Sequence, residues 1–207
     1  LLSYDRALEI KPDYQEAWNN KGNTFYRMDR LEEAIEAYNQ GIRIKPNYHE
    51  AIFNKGLVLS SLGRNDEAIE ALDAQMIFLD DDSKIKALFL MAEAHNYLGN
   101  YEEATKDYLQ YIRLTEGTDR EAPAHYGLGW LYYRQGIFHW AAQSFERAII
   151  DDSELSRKAM YYEAINHKLG GNYQRSMDTF ADFGERFQNG LWVEEAYYEW
   201  GISSFEA

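Results

Sequence analysis

The side chains best suited to metal or acid–base chemistry are five histidines and several adjacent carboxylate pairs. The histidines are His49, His95, His125, His139 and His167. No two of them are four residues apart, and the sequence contains no His-Glu-x-x-His motif, so a helical metal site is not predicted. We therefore interpret the histidines as packed or half-buried helix residues.

The carboxylate pairs are better explained by helix electrostatics than by catalysis. They stand at the starts of predicted helices, where negative charge interacts favourably with the helix dipole. These pairs are Glu32-Glu33, Glu102-Glu103 and Glu194-Glu195. The three aspartates of residues 80–82 lack EF-hand spacing, and we expect a solvated loop there before the next helix. The sequence thus predicts no catalytic residues, no metal and no cofactor.

The composition argues against several classes of protein. The 207 residues include no cysteine, which excludes disulfides and thiolate metal sites. The net charge of −14 opposes binding to nucleic-acid phosphates or to an anionic membrane surface. No apolar run approaches the roughly 18–20 residues that span a bilayer. We expect a soluble protein of the cytoplasm or the periplasm, without membrane insertion and without a nucleic-acid partner.

A repeat of 34 residues indicates the secondary structure on which the histidines and carboxylates lie. Residues 16–18 (Glu-Ala-Trp) return as residues 50–52 (Glu-Ala-Ile), and residues 21–22 (Lys-Gly) return as residues 55–56. Alignment on this pattern gives units that begin at residues 15, 49, 85, 122, 157 and 194. Chains with such a period build stacked supersecondary units.

Three positions, numbered from the first residue of each unit, carry residues of the same size class throughout the repeats. Position 8 is small in all six units, position 20 is small in the five units that reach it, and position 24 is always large and apolar. Small residues let two helices approach to about 8–10 Å, and a Gly/Asn turn separates the halves of several units. Each unit is therefore predicted to be a pair of amphipathic helices that stacks on its neighbours.

These positions resemble the tetratricopeptide repeat family. The matches in the first full unit are Trp18, Gly22, Phe25, Ala34, Tyr38 and Pro46. The matches in the unit from residue 122 are Leu128, Gly129, Tyr132, Gly136, Ala141, Phe145 and Ala148. The resemblance implies an all-α, right-handed solenoid of antiparallel helix pairs, with twelve helices. It also implies a non-catalytic scaffold for protein–protein interaction.

We expect one solenoid domain over residues 1–207, with about five full repeats and a half-repeat at each end. The predicted boundaries are 1–14, 15–48, 49–84, 85–121, 122–156, 157–193 and 194–207. The later units are 35–37 residues apart, and the bulky Gln75, Tyr111 and Phe183 at position 27 predict altered packing of their helix pairs. Such units are similar to the looser repeats of bacterial envelope and assembly proteins, which implies a prokaryotic source.

Both half-repeats predict a helix without its partner. Aromatic residues crowd the last sixteen positions, and they are Trp192, Tyr197, Tyr198, Trp200 and Phe205. An unpaired repeat helix exposes the apolar face that a neighbour would bury. We therefore expect a window of a longer array whose uncapped ends allow head-to-tail self-association.

The first helix of each unit lines the concave face in this family, and here that face is predicted to be aromatic. The predicted protein- or peptide-binding residues are Asn23, Phe53, Asn54, Leu57, Lys86, Phe89, Leu90, Tyr97, Tyr126, Trp130, Tyr133, Arg134, Tyr161, Tyr162 and Lys168. Exposed aromatic patches mark binding sites, and Tyr and Trp dominate interface hot spots. The alternative for the same residues is irregular packing within the groove.

Three further functions remain open at this point. A carboxylate clamp, as in chaperone-binding members, would use Asn19, Asn23, Asn54, Lys86 and Leu90. It is disfavoured because Asn19 and Leu90 replace two of its three cationic residues. The repeats could instead recruit substrates for a larger enzyme, or form a self-assembling scaffold.

Overall fold

The computed structural model describes residues 1–188 and 192–206, and within these ranges the chain is entirely α-helical apart from turns and one 3-10 helix, Met76–Phe78. The α-helices are α1 (Leu2–Ile10), α2 (Gln15–Arg27), α3 (Leu31–Ile44), α4 (His49–Ser61), α5 (Asn65–Asp73), α6 (Asp81–Leu98), α7 (Tyr101–Thr115), α8 (Glu121–Arg134), α9 (Phe138–Arg147), α10 (Glu154–Leu169), α11 (Tyr173–Arg186) and α12 (Val193–Glu206). The all-α prediction is confirmed. The predicted boundaries at 157–193 and 194–207 include residues 189–191 and 207, which lie outside the described residues.

The helices form two compact units, unit 1 from Leu1 to Asp107 and unit 2 from Tyr108 to Ala207. In unit 1, consecutive helices from α1 to α6 pack together, and α2 and α6 also contact α4. In unit 2, consecutive helices from α8 to α12 pack together, and α8 and α12 also contact α10. The first helices of successive pairs, here called A helices, therefore form one face within each unit. The prediction of a single solenoid domain stays a prediction.

The turns between the two helices of a pair need a left-handed residue. Gly63, Gly99, Gly136 and Gly171 have φ between 71° and 81°, and Asp29 takes this place in the first full pair with φ 58°. In the turn after α6, the N–H of residue 100 donates to the carbonyl of residue 95 at 2.9 Å. This Schellman arrangement closes the helix end, and glycine adopts it without a Cβ clash.

The small and large repeat positions meet inside each pair. A Cβ added to Gly22 would lie 2.5 Å from the Tyr38 ring, and one added to Gly129 would lie 2.7 Å from the Phe145 ring. Both rings are at most 1% exposed. The glycines therefore allow an aromatic ring of the second helix to lie directly on the backbone of the first.

Two segments depart from the predicted pattern. The loop expected at residues 80–82 is wrong, because α6 begins at Asp81 and Asp80 caps it by accepting the Ser83 N–H at 2.8 Å. An N-cap aspartate and acidic first-turn residues both stabilise a helix start. The second helix of the unit from residue 49, α5, ends at Asp73, so the bulky Gln75 lies beyond it. Gln75 borders a cavity of about 300 Å³ beside α3 and α4. The predicted change in the packing of this helix pair stays a prediction.

A buried acid–histidine pair joins α6 to α7 in unit 1. His95 Nδ1 lies 3.0 Å from Asp107 Oδ2, and their side chains are 13% and 11% exposed. Burial raises the pKa of Asp107 above 3.8, while His95 and Lys106 oppose the rise and Asp73 adds to it. The native carboxyl therefore binds its proton more tightly than the carboxyl of the unfolded chain.

This raised pKa predicts a pH-dependent contribution to stability. The stabilisation by protonated Asp107 is fully present below pH 3.8 and is lost as the pH rises through the folded-state pKa. Asp107→Asn should therefore show a shallower fall in the free energy of unfolding above pH 3.8 than the wild type, measured by urea titration at several pH values. Asp13→Asn, at an exposed turn residue, is the matched control. Parallel pH profiles for Asp107→Asn and wild type would contradict the assignment.

Candidate functional site

All the predicted binding residues lie on A helices, in two groups. In unit 1 they lie on α2, α4 and α6, and in unit 2 they lie on α8 and α10. α4 contacts α2 and α6, and α8 contacts α10, so the helices that carry each group are neighbours within their unit. That the residues of each group form one binding face stays a prediction. The two groups differ in chemistry, since the first is largely polar and apolar-aliphatic and the second is aromatic.

The polar residues of unit 1 form a hydrogen-bonded cluster. Asn54 Nδ2 donates to Asn19 Oδ1 and to Asn23 Oδ1, both at 3.1 Å. The Tyr38 hydroxyl donates to Asn23 Oδ1 at 2.7 Å, and burial raises the pKa of Tyr38 to about 12. The phenol therefore stays protonated and keeps donating at neutral pH. The asparagines considered for a carboxylate clamp do come together, but their amides bind one another and join α2 to α4.

The apolar residues predicted in unit 1 contribute mainly to packing. Phe53 and Leu90 are half-buried against a core that includes Ile52 and Met91. Leu57 and Phe89 are half-buried as well. This group therefore presents little continuous apolar surface.

Two residues at the ends of α6 behave differently from this group. Lys86 is exposed and forms an ion pair with Asp82 one turn earlier on α6. Tyr97, near the C-terminal end of the same helix, is 71% exposed. Of the aromatic residues predicted in unit 1, Tyr97 is the one that the solvent reaches most fully.

Unit 2 contains a connected group of aromatic rings. This aromatic cluster consists of Tyr126, Trp130, Tyr133, Phe145, Tyr161, Tyr162 and Trp192. The centroids of Trp130 and Tyr162 are 4.5 Å apart, and those of Tyr161 and Trp192 are 4.8 Å apart. Most of the contacts are edge-to-face, a geometry that stabilises each pair by roughly 0.5–1.5 kcal/mol beyond simple burial.

The rings of the cluster differ in exposure, and we call its buried part the floor and its exposed part the rim. Phe145 is fully buried, Trp130 and Tyr162 are half-buried, and Tyr133 is 37% exposed. Arg134 is exposed next to Tyr133 at the end of α8. Packing therefore accounts for Phe145, whereas the binding-surface interpretation of Tyr133 stays a prediction.

The other end of the cluster lies beside carboxylates of α12. Burial raises the pKa of Tyr161 to about 12, and the negative charges of Glu199 and Glu195 add to the shift. Lys168 Nζ lies 2.9 Å from Glu199 Oε2, which joins α10 to α12. Lys168 therefore has a structural ion-pair partner on this face.

Two members of the cluster were not among the predicted site residues. Phe145 belongs to the repeat framework, and its large-residue position indicated burial. The sequence predicts that Trp192 is exposed with the other terminal aromatics, yet it is half-buried against Tyr161. No spacing signal predicts this contact, because Trp192 precedes α12 and falls outside the helical period.

Within the residues that the structure describes, no three histidine, aspartate or glutamate side chains are grouped to hold a metal ion. No helix in the same part of the chain is long and apolar enough to cross a membrane.

Paired helices with small-to-large contacts, stacked so that the A helices share a face, define a helical-repeat protein. Sequence profiles of the tetratricopeptide repeat match residues 16–48, 49–75 and 89–156. The chain belongs to the tetratricopeptide repeat family.

Solved structures share this fold at low sequence identity. The MamA protein is 20% identical with a TM-score of 0.73, over 84% of this chain and 92% of that chain. PilW, a type IV pilus biogenesis factor, is 17% identical with a TM-score of 0.72, over 95% of this chain and 88% of that chain. YrrB, described as a tetratricopeptide repeat protein with an unusual peptide-binding site, is 13% identical with a TM-score of 0.71, over 94% of this chain and 97% of that chain. At these identities the likeness shows the fold alone.

Proposed function

We propose that this protein is a non-catalytic scaffold that binds a peptide or protein segment on the aromatic cluster of unit 2. The observation that supports this most directly is a group of connected rings on the A-helix face, with Tyr133 37% exposed at its rim. Partly exposed Tyr and Trp residues supply large contact areas at low entropic cost. YrrB, which shares the fold, is described as having a peptide-binding site.

The surroundings of the cluster favour a particular ligand chemistry. The carboxylates of Glu195 and Glu199 act on Tyr161, and the whole chain carries a charge of −14. A cationic group beside an aromatic face is attracted both by the ring and by nearby carboxylates. We propose a segment with an aromatic or aliphatic anchor followed by a lysine or arginine.

Tyr133→Ala tests the proposed surface. Peptides selected from a displayed library against the wild type should lose affinity about 10-fold on the variant, because an interface aromatic contributes roughly 1–2 kcal/mol. The measurement is isothermal titration calorimetry with the selected peptides. Trp140→Ala, at a 52% exposed position on α9, is the control and should keep full affinity. Equal affinity for wild type and Tyr133→Ala would remove the proposal.

An open face on α12 favours a second function, self-association. A Cβ at Gly201 would meet no atom of the described chain within 4 Å, unlike its repeat equivalents Gly22 and Gly129. Phe205 on the same helix is 93% exposed. We propose that this face binds α1 of a second copy, whose Tyr4 stands at the large repeat position.

Self-association through α12 predicts a mass that depends on concentration. Light scattering over a concentration series should show growth beyond the monomer for the wild type. Tyr198→Glu, at a 70% exposed site on α12, should abolish the growth because it places a charge on the contact face. A strictly monomeric wild type would contradict this function without affecting the peptide-binding proposal.

A further inference from the structure

Trp192 contacts the proposed binding surface from outside the helices that build it. It stands just before α12, where its carbonyl accepts the N–H of Ala196 at 2.8 Å. Its ring centroid is 4.8 Å from that of Tyr161 and 5.7 Å from that of Tyr162, both in edge-to-face geometry. Both rings that Trp192 contacts belong to residues of α10, whereas Trp192 itself lies outside the helices.

The backbone of Trp192 is strained in this position. Its φ is 82°, in the left-handed region that bulky L-residues rarely adopt. The other non-glycine with positive φ in the described ranges is Asp29, a residue type that tolerates this region in turns. A strained conformation persists only where surrounding contacts hold it. For Trp192 those contacts include the two tyrosine rings and the buried cluster around Phe183.

The ring of Tyr162 contacts two indole rings, which shows that its surface accepts aromatic side chains. The Trp130 indole packs on Tyr162 at a centroid distance of 4.5 Å, and the Trp192 indole approaches the same ring at 5.7 Å. The backbone of Trp130 lies within α8. Trp192 precedes α12, so its ring can leave Tyr162 through a change in its own backbone and side-chain dihedral angles, and the backbone part of that change relaxes the strained φ.

We propose that Trp192 is an internal occupant of an aromatic side-chain site formed by Tyr161 and Tyr162, and that an aromatic residue of the bound partner displaces it. The proposal rests on the function proposed above, because it identifies the anchor that the aromatic cluster takes and the residue that competes with it. The ligand group is an indole, phenol or phenyl side chain, since each can repeat the edge-to-face contacts of Trp192.

Internal occupancy reduces the apparent affinity for the partner. If Trp192 occupies the site in more than nine-tenths of the molecules, the site is open to an incoming aromatic group in at most one-tenth of them. Its apparent dissociation constant is then raised at least about 10-fold. Removal of the indole should restore that affinity.

Free indole is a direct probe of the site. Trp192→Ala should bind indole saturably at one site, at least about 10-fold more tightly than the wild type, as followed by ligand-detected NMR. Adding Tyr161→Ala to this variant should abolish the gain. Trp200→Ala, at a 41% exposed tryptophan of α12, is the matched control and should bind no more indole than the wild type.

The outcomes separate this proposal from the proposed function. Indole binding by Trp192→Ala, with peptide affinity unchanged by Tyr133→Ala, would keep the aromatic site and remove the peptide-binding surface. A folded Trp192→Ala protein that takes up no more indole than the wild type would overturn the internal-occupant proposal. Weaker peptide binding by Trp192→Ala would also overturn it, because Trp192 would then be a fixed part of the surface.

A measurement on the intact chain covers the case in which Trp192→Ala does not fold. The wild type is labelled with 5-fluorotryptophan, its Trp192 signal is assigned with Trp192→Phe, and N-acetyl-tryptophan amide is added. The Trp192 fluorine signal should shift before the signals of the other four of the five tryptophans. No shift of the Trp192 signal up to saturating probe would overturn the proposal.

Discussion

Phe145→Ala should lower the free energy of unfolding by about 3–5 kcal/mol, the range for removing a fully buried phenylalanine. Phe145 is 0% exposed, and its ring contacts those of Tyr126, Trp130 and Tyr162 at centroid distances of 5.4, 5.8 and 5.7 Å. Alanine would leave a cavity under the floor of the aromatic cluster. Urea unfolding followed by circular dichroism measures the loss.

Phe205→Ala is the control for this prediction, because Phe205 is 93% exposed on α12. Its effect should stay within about 0.5 kcal/mol, as for most exposed positions. Equal losses for the two variants would mean that Phe145 is not the centre of the unit 2 core. A loss of stability in Phe145→Ala together with weaker peptide binding would show that the buried floor of the cluster also positions its exposed rim.

Gly129→Ala should lower the free energy of unfolding by about 1–3 kcal/mol, the cost of overpacking a filled core. The new Cβ would lie 2.7 Å from two carbons of the Phe145 ring, closer than real Cβ atoms approach. The ring is fully buried and contacts three other rings, so it has no open space to move into. The same urea titration measures the change.

Gly201→Ala is the matched control, because it makes the same substitution at the same repeat position. A Cβ at Gly201 meets no atom of the described chain within 4 Å. At concentrations where the chain is monomeric, alanine should therefore stabilise α12 by about 0.5–1 kcal/mol through helix propensity. A destabilised Gly201→Ala protein would show that the chain packs on this face, in the monomer or between copies.

The losses in the free energy of unfolding caused by Phe145→Ala and by Gly129→Ala should not be additive. In a Phe145→Ala background the space above Gly129 is empty, so Gly129→Ala should cost much less than it does in the wild type. Additive losses would show that the glycine and the ring do not share one contact. The same relation is expected for Gly22 and Tyr38 in unit 1, where the corresponding distance is 2.5 Å.

Helix identity and order were predictable from this sequence because they depend on local periodicity. The repeat alignment places unit starts at residues 15 and 49, which are the observed starts of α2 and α4. The start of α6 was missed by four residues, since Asp80 supplies a cap that the repeat alignment ignores. The early end of α5 at Asp73 was not predicted, because the bulky Gln75 indicated only a change in the packing of its helix pair.

The candidate site was predictable only as a face. The repeat assigns Trp130, Tyr133 and Tyr162 to A helices, where the structure has them, and the Trp130 and Tyr162 rings are in contact. Their division into floor and rim was not predictable, because exposure depends on rings brought by other helices. Asn23 and Asn54 illustrate the same point in unit 1, since their mutual hydrogen bond depends on how α2 and α4 pack.

The sequence by itself therefore determined the tetratricopeptide fold and which residues lie on the A helices, because both follow from residue size at fixed spacing. Only the tertiary structure decided which aromatic side chains are packed, which remain open, and that Trp192 lies on Tyr161. The physical reason is that burial is a property of neighbours distant in the chain. A non-helical residue such as Trp192 has no period from which its neighbours can be inferred.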